Sequence, residues 1–164
     1  MTAQFYLGVI LEINGRYEES LAPLAKAVEL APAADEFHTH VARALISLGR
    51  LAEAEQMVEQ EPNEAYRLVG QAQLRHARGD QAGAGKARDE LIAKYGAEIP
   101  GYVALTCAML GDPEQAFAWL DRALARRDAA VVWAKTNYYM RSLHGDPRWP
   151  AFLARLGLAD DQLK

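Results

Sequence analysis

The sequence predicts an all-α fold: a right-handed superhelix of about four antiparallel helix pairs, followed by a C-terminal capping helix. Three observations predict it. Small residues and turn glycines recur at shared spacings, apolar residues within each segment follow the helical period, and no window alternates with the period of a strand. Residues 1–128 are expected to form the repeat array, and residues 129–164 a capping segment of the same domain.

The repeat is visible in three series of residues, all with the same unequal steps of 34, 30 and 32 residues. Such agreement is hard to obtain by chance, even in an alanine-rich chain. The series are, in order, Gly8, Ala42, Ala72 and Ala104; Gly15, Gly49, Gly79 and Gly111; and Ser20, Ala54, Ala84 and Ala116. We expect each glycine to end a first helix, and the small residues to allow close approach of the two helices in a pair.

The first pair begins with a helix that is apolar nearly all round, from Phe5 to Ile13, and ends at Gly15. A helix apolar on all sides is normally buried on all sides. Its partner carries Leu21, Leu24 and Val28 at helical spacing.

The middle pairs are less regular. Pro62 is expected to cut the second helix of the second pair short, because proline cannot continue a helix. In the third pair Gln71, Arg75 and Arg88 occupy positions where the repeat favours apolar residues, so its helices are expected but its register is not fixed.

The last pair and the tail carry clear helix signals. In the last pair, Asp112 is expected to cap the second helix, and Pro113 to be its first residue. After the motif Gly145-Asp146-Pro147, an apolar face recurs at helical spacing up to Gly157. This face consists of Trp149, Phe152, Leu153 and Leu156. The tail is expected to cover the open end of the array at Trp119, Leu120 and Leu124, as repeat arrays require.

These units resemble the tetratricopeptide repeat, a two-helix unit of about 34 residues. The resemblance covers about residues 1–128. The first unit matches in Leu7-Gly8, Gly15, Tyr17, Leu24, Ala27 and Pro32; the fourth in Ala104, Leu110-Gly111-Asp112, Ala116, Leu120 and Ala123.

The resemblance implies a protein–protein interaction module whose concave groove holds a peptide or helix. Carrying over the groove-facing positions of the family gives Phe5, Val9, Thr39, Arg43, Ile46, Tyr66, Val69, Gln73 and His76. Where some family members clamp a terminal carboxylate with lysine and asparagine, this chain has residues such as Phe5, Val9 and Gly70. A partner with an apolar segment is therefore expected.

The C-terminal end, through Asp146-Pro147-Arg148-Trp149, resembles the end of repeat regions in large bacterial signalling proteins: regulators, cyclases and kinases. The resemblance confers no activity. It leaves open an alternative function as an architectural or dimerising regulatory segment without a free ligand. The surplus apolar face of the first helix is assigned to Tyr6, Ile10 and Ile13. It favours the same alternative function, because this face is expected to form a homodimer.

Composition argues against other functions. The net charge of −4 does not favour a nucleic-acid partner. The N-terminal apolar run is too short to span a membrane and lacks the basic flank of a signal peptide, so a cytoplasmic location is expected. The single cysteine, Cys107, lies in an apolar run and is expected to be buried and unreactive.

The stretch from Gly79 to Glu90 looks like a phosphate-binding loop but lacks two of the residues that such a loop requires. Counting back from Gly85-Lys86, the first glycine position holds Asp80, and the hydroxyl position holds Ala87.

His38 and His40 point to different faces of one helix and are expected at the surface or groove rather than on a metal. We expect no catalytic residues, no metal and no cofactor, and hence no enzyme.

Overall fold

The computed structural model describes residues 3–162, and within that range the regular structure is entirely helical. The α-helices are α1 (Ala3–Ile13), α2 (Tyr17–Leu30), α3 (Phe37–Ser47), α4 (Leu51–Gln60), α5 (Glu64–Ala77), α6 (Gln81–Tyr95), α7 (Pro100–Met109), α8 (Pro113–Ala125) and α9 (Arg148–Leu156). Two 3₁₀ helices, Ala129–Trp133 and Tyr138–Leu143, separate α8 from α9. No helix in this range is long and apolar enough to cross a membrane.

The chain divides into two compact units, residues 1–95 and 96–164. The first contains the pairs α1/α2, α3/α4 and α5/α6, and the second contains the pair α7/α8 and the tail. The predicted all-α arrangement of helix pairs is confirmed. The predicted division between array and cap at residue 128 stays a prediction.

All four turn glycines adopt the left-handed conformation that the repeat predicts. Gly15, Gly49, Gly79 and Gly111 have φ values of 79°, 75°, 81° and 78°. This conformation is strained for residues with a side chain, which is why glycine ends each first helix. The recurrence of one backbone geometry at four sites confirms the register of the turns, including that of the third pair.

The small residues lie where the two helices of a pair approach each other. A Cβ atom added to Gly8 would lie 2.7 Å from Cδ2 of Leu24, in the facing helix α2. The small residues at equivalent positions in the other pairs are completely buried, as predicted. They are Ala42, Ala72 and Ala104 in the first helices and Ala54, Ala84 and Ala116 in the second helices.

The residue after each turn glycine starts the second helix in one of two ways. In the first two pairs it is an arginine whose guanidinium group pairs with a glutamate three residues on, Arg16 with Glu19 and Arg50 with Glu53. In the last two pairs it is an aspartate. The Asp80 carboxylate accepts a hydrogen bond from the backbone of Gly83 at 2.8 Å, and Asp112 accepts one from Gln115 at 3.1 Å. The predicted cap at Asp112, with Pro113 as the first helical residue, is confirmed.

The second pair is shortened as predicted. Helix α4 ends at Gln60, two residues before Pro62, and Asn63 then caps α5 by accepting a hydrogen bond from the backbone of Ala65 at 2.9 Å. The first-unit core lies between α1, α2, α3, α4 and α5. Its completely buried members are Leu24, Ala27, Ala42, Ala44 and Ala54.

In the second unit the tail covers α8. The ring of Trp149 in α9 meets Phe117 edge-on at 6.5 Å between centroids. Arg148 stacks over the same phenylalanine at 4.3 Å and pairs with Glu114. Trp149 and Phe152 are buried and Gly157 ends the helix in the left-handed conformation, as predicted. These contacts of α9 fall on Phe117 and Glu114, which were not part of the predicted covered surface, so coverage of Trp119, Leu120 and Leu124 stays a prediction.

Candidate functional site

The junction between α1 and α3 is held by a buried ionic cluster of Glu12, His40 and Arg43. Arg43 donates from Nε to Oε1 of Glu12 and from Nη2 to Oε2, the second at 3.0 Å. Nδ1 of His40 lies 2.7 Å from the same Oε2. The same Nδ1 lies 2.8 Å from Nη2 of Arg43, so this ring nitrogen contacts both members of the ion pair. All three side chains are buried, so this polar cluster fixes the two first helices against each other.

The cluster holds Glu12 in its charged form. Complete burial raises the pKa of this carboxyl, but the charges and hydrogen bonds of Arg43 and His40 outweigh burial and lower the pKa to about 2. The expectation that His38 and His40 lie at the surface or groove is wrong, because both are buried. Burial lowers the pKa of His38, with Glu61 opposing that shift.

The junction between α3 and α5 is held by a second buried carboxylate, Glu61. Its Oε2 accepts from the backbone nitrogen of Thr39 at 3.2 Å and from the hydroxyl at 3.1 Å. Its Oε1 accepts from the backbone of Glu36 and Asn63. The Thr39 hydroxyl also lies 3.0 Å from the carbonyl oxygen of Tyr66. A carboxylate at the start of α3 satisfies open backbone donors there, which ties the loop before α5 to α3.

The nine predicted groove positions divide into two sets. Five are buried and serve as packing or polar contacts: Phe5, Thr39, Arg43, Val69 and Gln73. Phe5 stacks on Phe37 with ring centroids 4.0 Å apart. The other four are half-buried and offer surface to solvent: Val9, Ile46, Tyr66 and His76. Only these four of the nine side chains are open to contact from solvent, whereas the buried five support them from below.

Gln73 differs from the other buried groove positions in its hydrogen bonding. It lies on α5 at the position equivalent to Val9 and Arg43, and it is 2% exposed. Neither its amide oxygen nor its amide nitrogen has a hydrogen-bond partner among residues 3–162. A buried amide without partners is unfavourable, and such groups often mark the place of a water or ligand.

The structure exposes two of the three residues assigned to the self-association face, and self-association itself stays a prediction. Tyr6 and Ile10 are 46% and 43% exposed, but Ile13 is 3% exposed and packs in the interior. Ile13 lies on the face of α1 that also buries Glu12, so its inclusion was wrong. Leu7, which the sequence analysis did not assign to this face, is 50% exposed. The exposed apolar residues of α1, called here the α1 stripe, are therefore Tyr6, Leu7 and Ile10.

The second unit has a shallow depression of about 480 Å³ that the sequence analysis missed. Its lining combines the end of α7 with the second 3₁₀ helix: Ala108, Met109, Tyr138, Tyr139, Arg141 and Ser142. Arg141 stacks over the Tyr138 ring at 4.1 Å from its centroid. A regular repeat pattern stops before this segment, so spacing alone gave no signal for it.

The structure places the glycine-rich stretch in a helix. Gly83 and Gly85 lie inside α6, and Asp80 caps that helix, so the backbone amides do not form a phosphate-binding loop. Cys107 is completely buried, as predicted. Among residues 3–162 no group of three or more histidine, cysteine or acidic residues is placed to hold a metal ion.

The comparisons with known proteins give one match. The family model described as tetratricopeptide repeat matches residues 13–74, a stretch that runs from the last residue of α1 into α5. No curated protein and no solved structure matches the chain. The matched stretch contains α2, α3 and α4 with the turn glycine Gly49 and the buried Ala42 and Ala54. Residues 13–74 therefore match the tetratricopeptide repeat, which supports a tetratricopeptide repeat domain in this part of the chain.

Proposed function

We propose that the chain is a non-enzymatic module that binds a partner protein, as a peptide or helix, on the surface formed by α1, α3 and α5. The tetratricopeptide repeat supports the general class, because these repeats are protein–protein interaction modules and are generally not catalytic. The contact residues in this proposal are the half-buried groove positions Val9, Ile46, Tyr66 and His76.

The observation that carries the proposal is the rigid floor beneath these four residues. Glu12 and Arg43 join α1 to α3, and Thr39 and Glu61 join α3 to the loop before α5. Both sets of contacts are buried. A surface whose supporting helices are already fixed loses little conformational freedom on binding, which favours affinity.

The chemistry of the surface favours an apolar ligand segment. Val9 and Ile46 are aliphatic and pack on the first-unit core, and Tyr66 adds an aromatic ring with a polar end. Arg43, the one cation among the nine groove positions, is committed to Glu12. An acidic ligand would need unpaired cations, and the nine groove positions do not offer one.

A pull-down from the native organism tests the proposal. The double variant Val9→Asp/Ile46→Asp should lose a partner that the wild-type chain captures, while its helical circular dichroism stays close to wild type. The matched control is Ala22→Asp/Ala25→Asp, which adds the same charges at exposed positions of α2. Because Val9 and Ile46 also contact the core, Ile46→Ala/Tyr66→Ala provides a second, milder variant. Capture that survives both groove variants would refute the groove as the binding surface.

A second candidate function is an architectural or dimerising segment of a larger bacterial signalling protein, with no free ligand. The exposed α1 stripe favours it, because soluble domains rarely leave contiguous apolar surface open without using it. The two candidates differ in a measurable way. An architectural segment would self-associate and capture no other protein, whereas a groove-binding module would lose its captured partner in the groove variants.

A further inference from the structure

The depression of the second unit contains an arginine, Arg141, whose guanidinium group makes no hydrogen bond or ion pair with residues 3–162. Arg141 and Tyr138 lie three residues apart in the second 3₁₀ helix, so their side chains share one face of it. Both side chains are exposed, and the guanidinium group stacks over the Tyr138 ring. Arg141 is therefore a cation that a ligand can reach.

The stacking occupies the face of this guanidinium group and leaves its edge open. The N–H donors of arginine lie in the plane of the group, in a fork that matches the two oxygens of a carboxylate. A ring packed on the face restricts the side chain, so less conformational freedom is lost when a ligand binds. Stacking on Tyr138 thus orients Arg141 as a donor for a carboxylate.

Arg148, in the same unit, shows this arrangement with its acidic partners in place. Its guanidinium group stacks over Phe117, and its edge donates to two carboxylates. The bond from Nη2 to Asp146 is 2.7 Å long, and the bond from Nη1 to Glu114 is 3.0 Å long. At Arg141 the corresponding edge is open in the part of the chain that the structure describes.

The rest of the lining favours an apolar group beside the carboxylate. Ala108 and the half-buried Met109 contribute the end of α7. The Ser142 hydroxyl donates to the carbonyl oxygen of Ala108 at 3.1 Å, which satisfies one of the open carbonyl groups at this helix end. A methionine side chain adapts its shape to an apolar neighbour. Because the depression is shallow, it suits a side chain of a peptide better than a small molecule, which needs an enclosing pocket.

We propose that this depression binds an acidic segment of a partner protein, in which an aspartate or glutamate lies beside an apolar residue. The carboxylate accepts from the edge of Arg141, and the apolar side chain packs on Met109. One guanidinium fork matches one carboxylate, whereas recognition of phosphorylated segments uses clusters of arginine. The site lies in the second unit and shares no residue with the surface proposed on α1, α3 and α5.

Selection from a phage-displayed library of random heptapeptides on the full chain tests the proposal. The selected pool should be enriched in peptides with an aspartate or glutamate next to an apolar residue. Arg141→Gln should weaken the binding of these peptides about tenfold, because a charge-assisted pair is lost. Replacing the acidic residue of the peptide by its amide should weaken binding to the same extent. The two changes together should cost no more than either alone, since both remove one contact.

Two control variants separate this site from general charge attraction and from the groove. Arg122→Gln removes an exposed arginine that stacks over Trp119 at 4.2 Å but does not line the depression. Val9→Asp/Ile46→Asp changes the groove in the first unit. Both controls should bind the selected acidic peptides as the wild type does, and Arg141→Gln should keep the helical circular dichroism of the wild type because Arg141 is exposed.

Three results would overturn the proposal. The first is a selection without enrichment of acidic peptides. The second is a set of acidic peptides that bind Arg141→Gln as tightly as the wild type, or that either control weakens equally. The third is tighter binding when phosphoserine replaces the acidic residue of the peptide, which would assign the site to a phosphate group. Loss of a captured partner in the groove variants alone would leave this site unaffected.

Discussion

At the scale of single residues, the most unusual feature is a complete ionic cluster in the interior. Glu12, His40 and Arg43 come from two helices and are separated from solvent. A buried charge is tolerated only when its partner is well placed, since the cost of removing both charges from water is large. Such a cluster adds little net stability but makes one packing of α1 on α3 strongly preferable to others.

Removing one member of this cluster should therefore cost far more than removing an exposed ion pair. Arg43→Met leaves the Glu12 carboxylate buried without its main partner and should lower the free energy of unfolding by roughly 3–5 kcal/mol. Replacing both partners, as Glu12→Gln/Arg43→Met, should restore part of that loss. Denaturant unfolding measures both.

The control is Arg50→Met, which removes an exposed pair with Glu53 and should cost no more than about 1 kcal/mol. An Arg43→Met variant as stable as this control would contradict the assignment of the cluster as a coupled unit.

The same cluster predicts an acid-dependent stability. The Glu12 carboxyl titrates near its ordinary pKa when unfolded but at a pKa of about 2 when folded. Its contribution to stability is then complete above about pH 4.5 and is lost as the pH falls toward 2. Glu12→Gln should show a shallower decline in the free energy of unfolding across that window, measured by denaturant titration at successive pH values. Identical slopes for the variant and the wild type would show that Glu12 is not the group responsible.

These residue-level features were the hardest to predict from sequence. Glu12 and Arg43 each look like an ordinary polar residue of a helix, because their separation of 31 residues in the sequence hides their proximity. Only the stacking of α1 on α3 brings them together, and the repeat pattern predicts that stacking without predicting which polar groups meet in it. Ile13 was misassigned for a related reason: the pattern marks α1 as apolar all round but does not say which side stays open.

At the scale of helices, the close approach within each pair was predictable because it depends on side-chain size alone. The prediction has a direct test in two glycines with opposite surroundings. Gly8→Ala would bring a methyl group within 2.7 Å of Leu24, so it should destabilise the chain by roughly 1–3 kcal/mol. Gly85→Ala meets no atom within 4 Å and lies inside α6 without a positive φ, so it should stabilise by up to about 1 kcal/mol.

Thermal unfolding of the two alanine variants measures both effects against the wild type. If both changes had the same sign, the small-residue positions would not be sites of helix contact.

The tail was predictable as a cap because its apolar face keeps the helical period after the repeat itself has stopped. Trp149→Ala and Phe152→Ala should each lower the free energy of unfolding by roughly 3–5 kcal/mol, since both rings are buried in the second unit. The matched control is Trp133→Ala, which removes a ring that is 42% exposed and should cost much less. Equal effects of the buried and exposed tryptophan changes, measured by denaturant unfolding, would argue that α9 does not cap α8.

At the scale of the whole molecule, the sequence predicts the repeating helix pairs but says little about a partner. The fold follows from spacings that recur along the chain, such as the four turn glycines that share one backbone conformation. A binding surface depends instead on which inward residues stay accessible. Five of the nine predicted groove positions are buried against neighbouring helices. Which positions are buried depends on the particular side chains of those helices.

Site-specific photo-cross-linking tests the central claim, that a partner binds on the surface of α1, α3 and α5, most directly. A photo-reactive phenylalanine analogue would replace Tyr66, a half-buried groove residue, or Ala25, an exposed residue of α2. After irradiation in the native organism, cross-linked products would be separated by mass. The account predicts one defined partner adduct from position 66, lost in the Ile46→Asp background, and none from position 25. Adducts from position 25 with none from position 66 would contradict it.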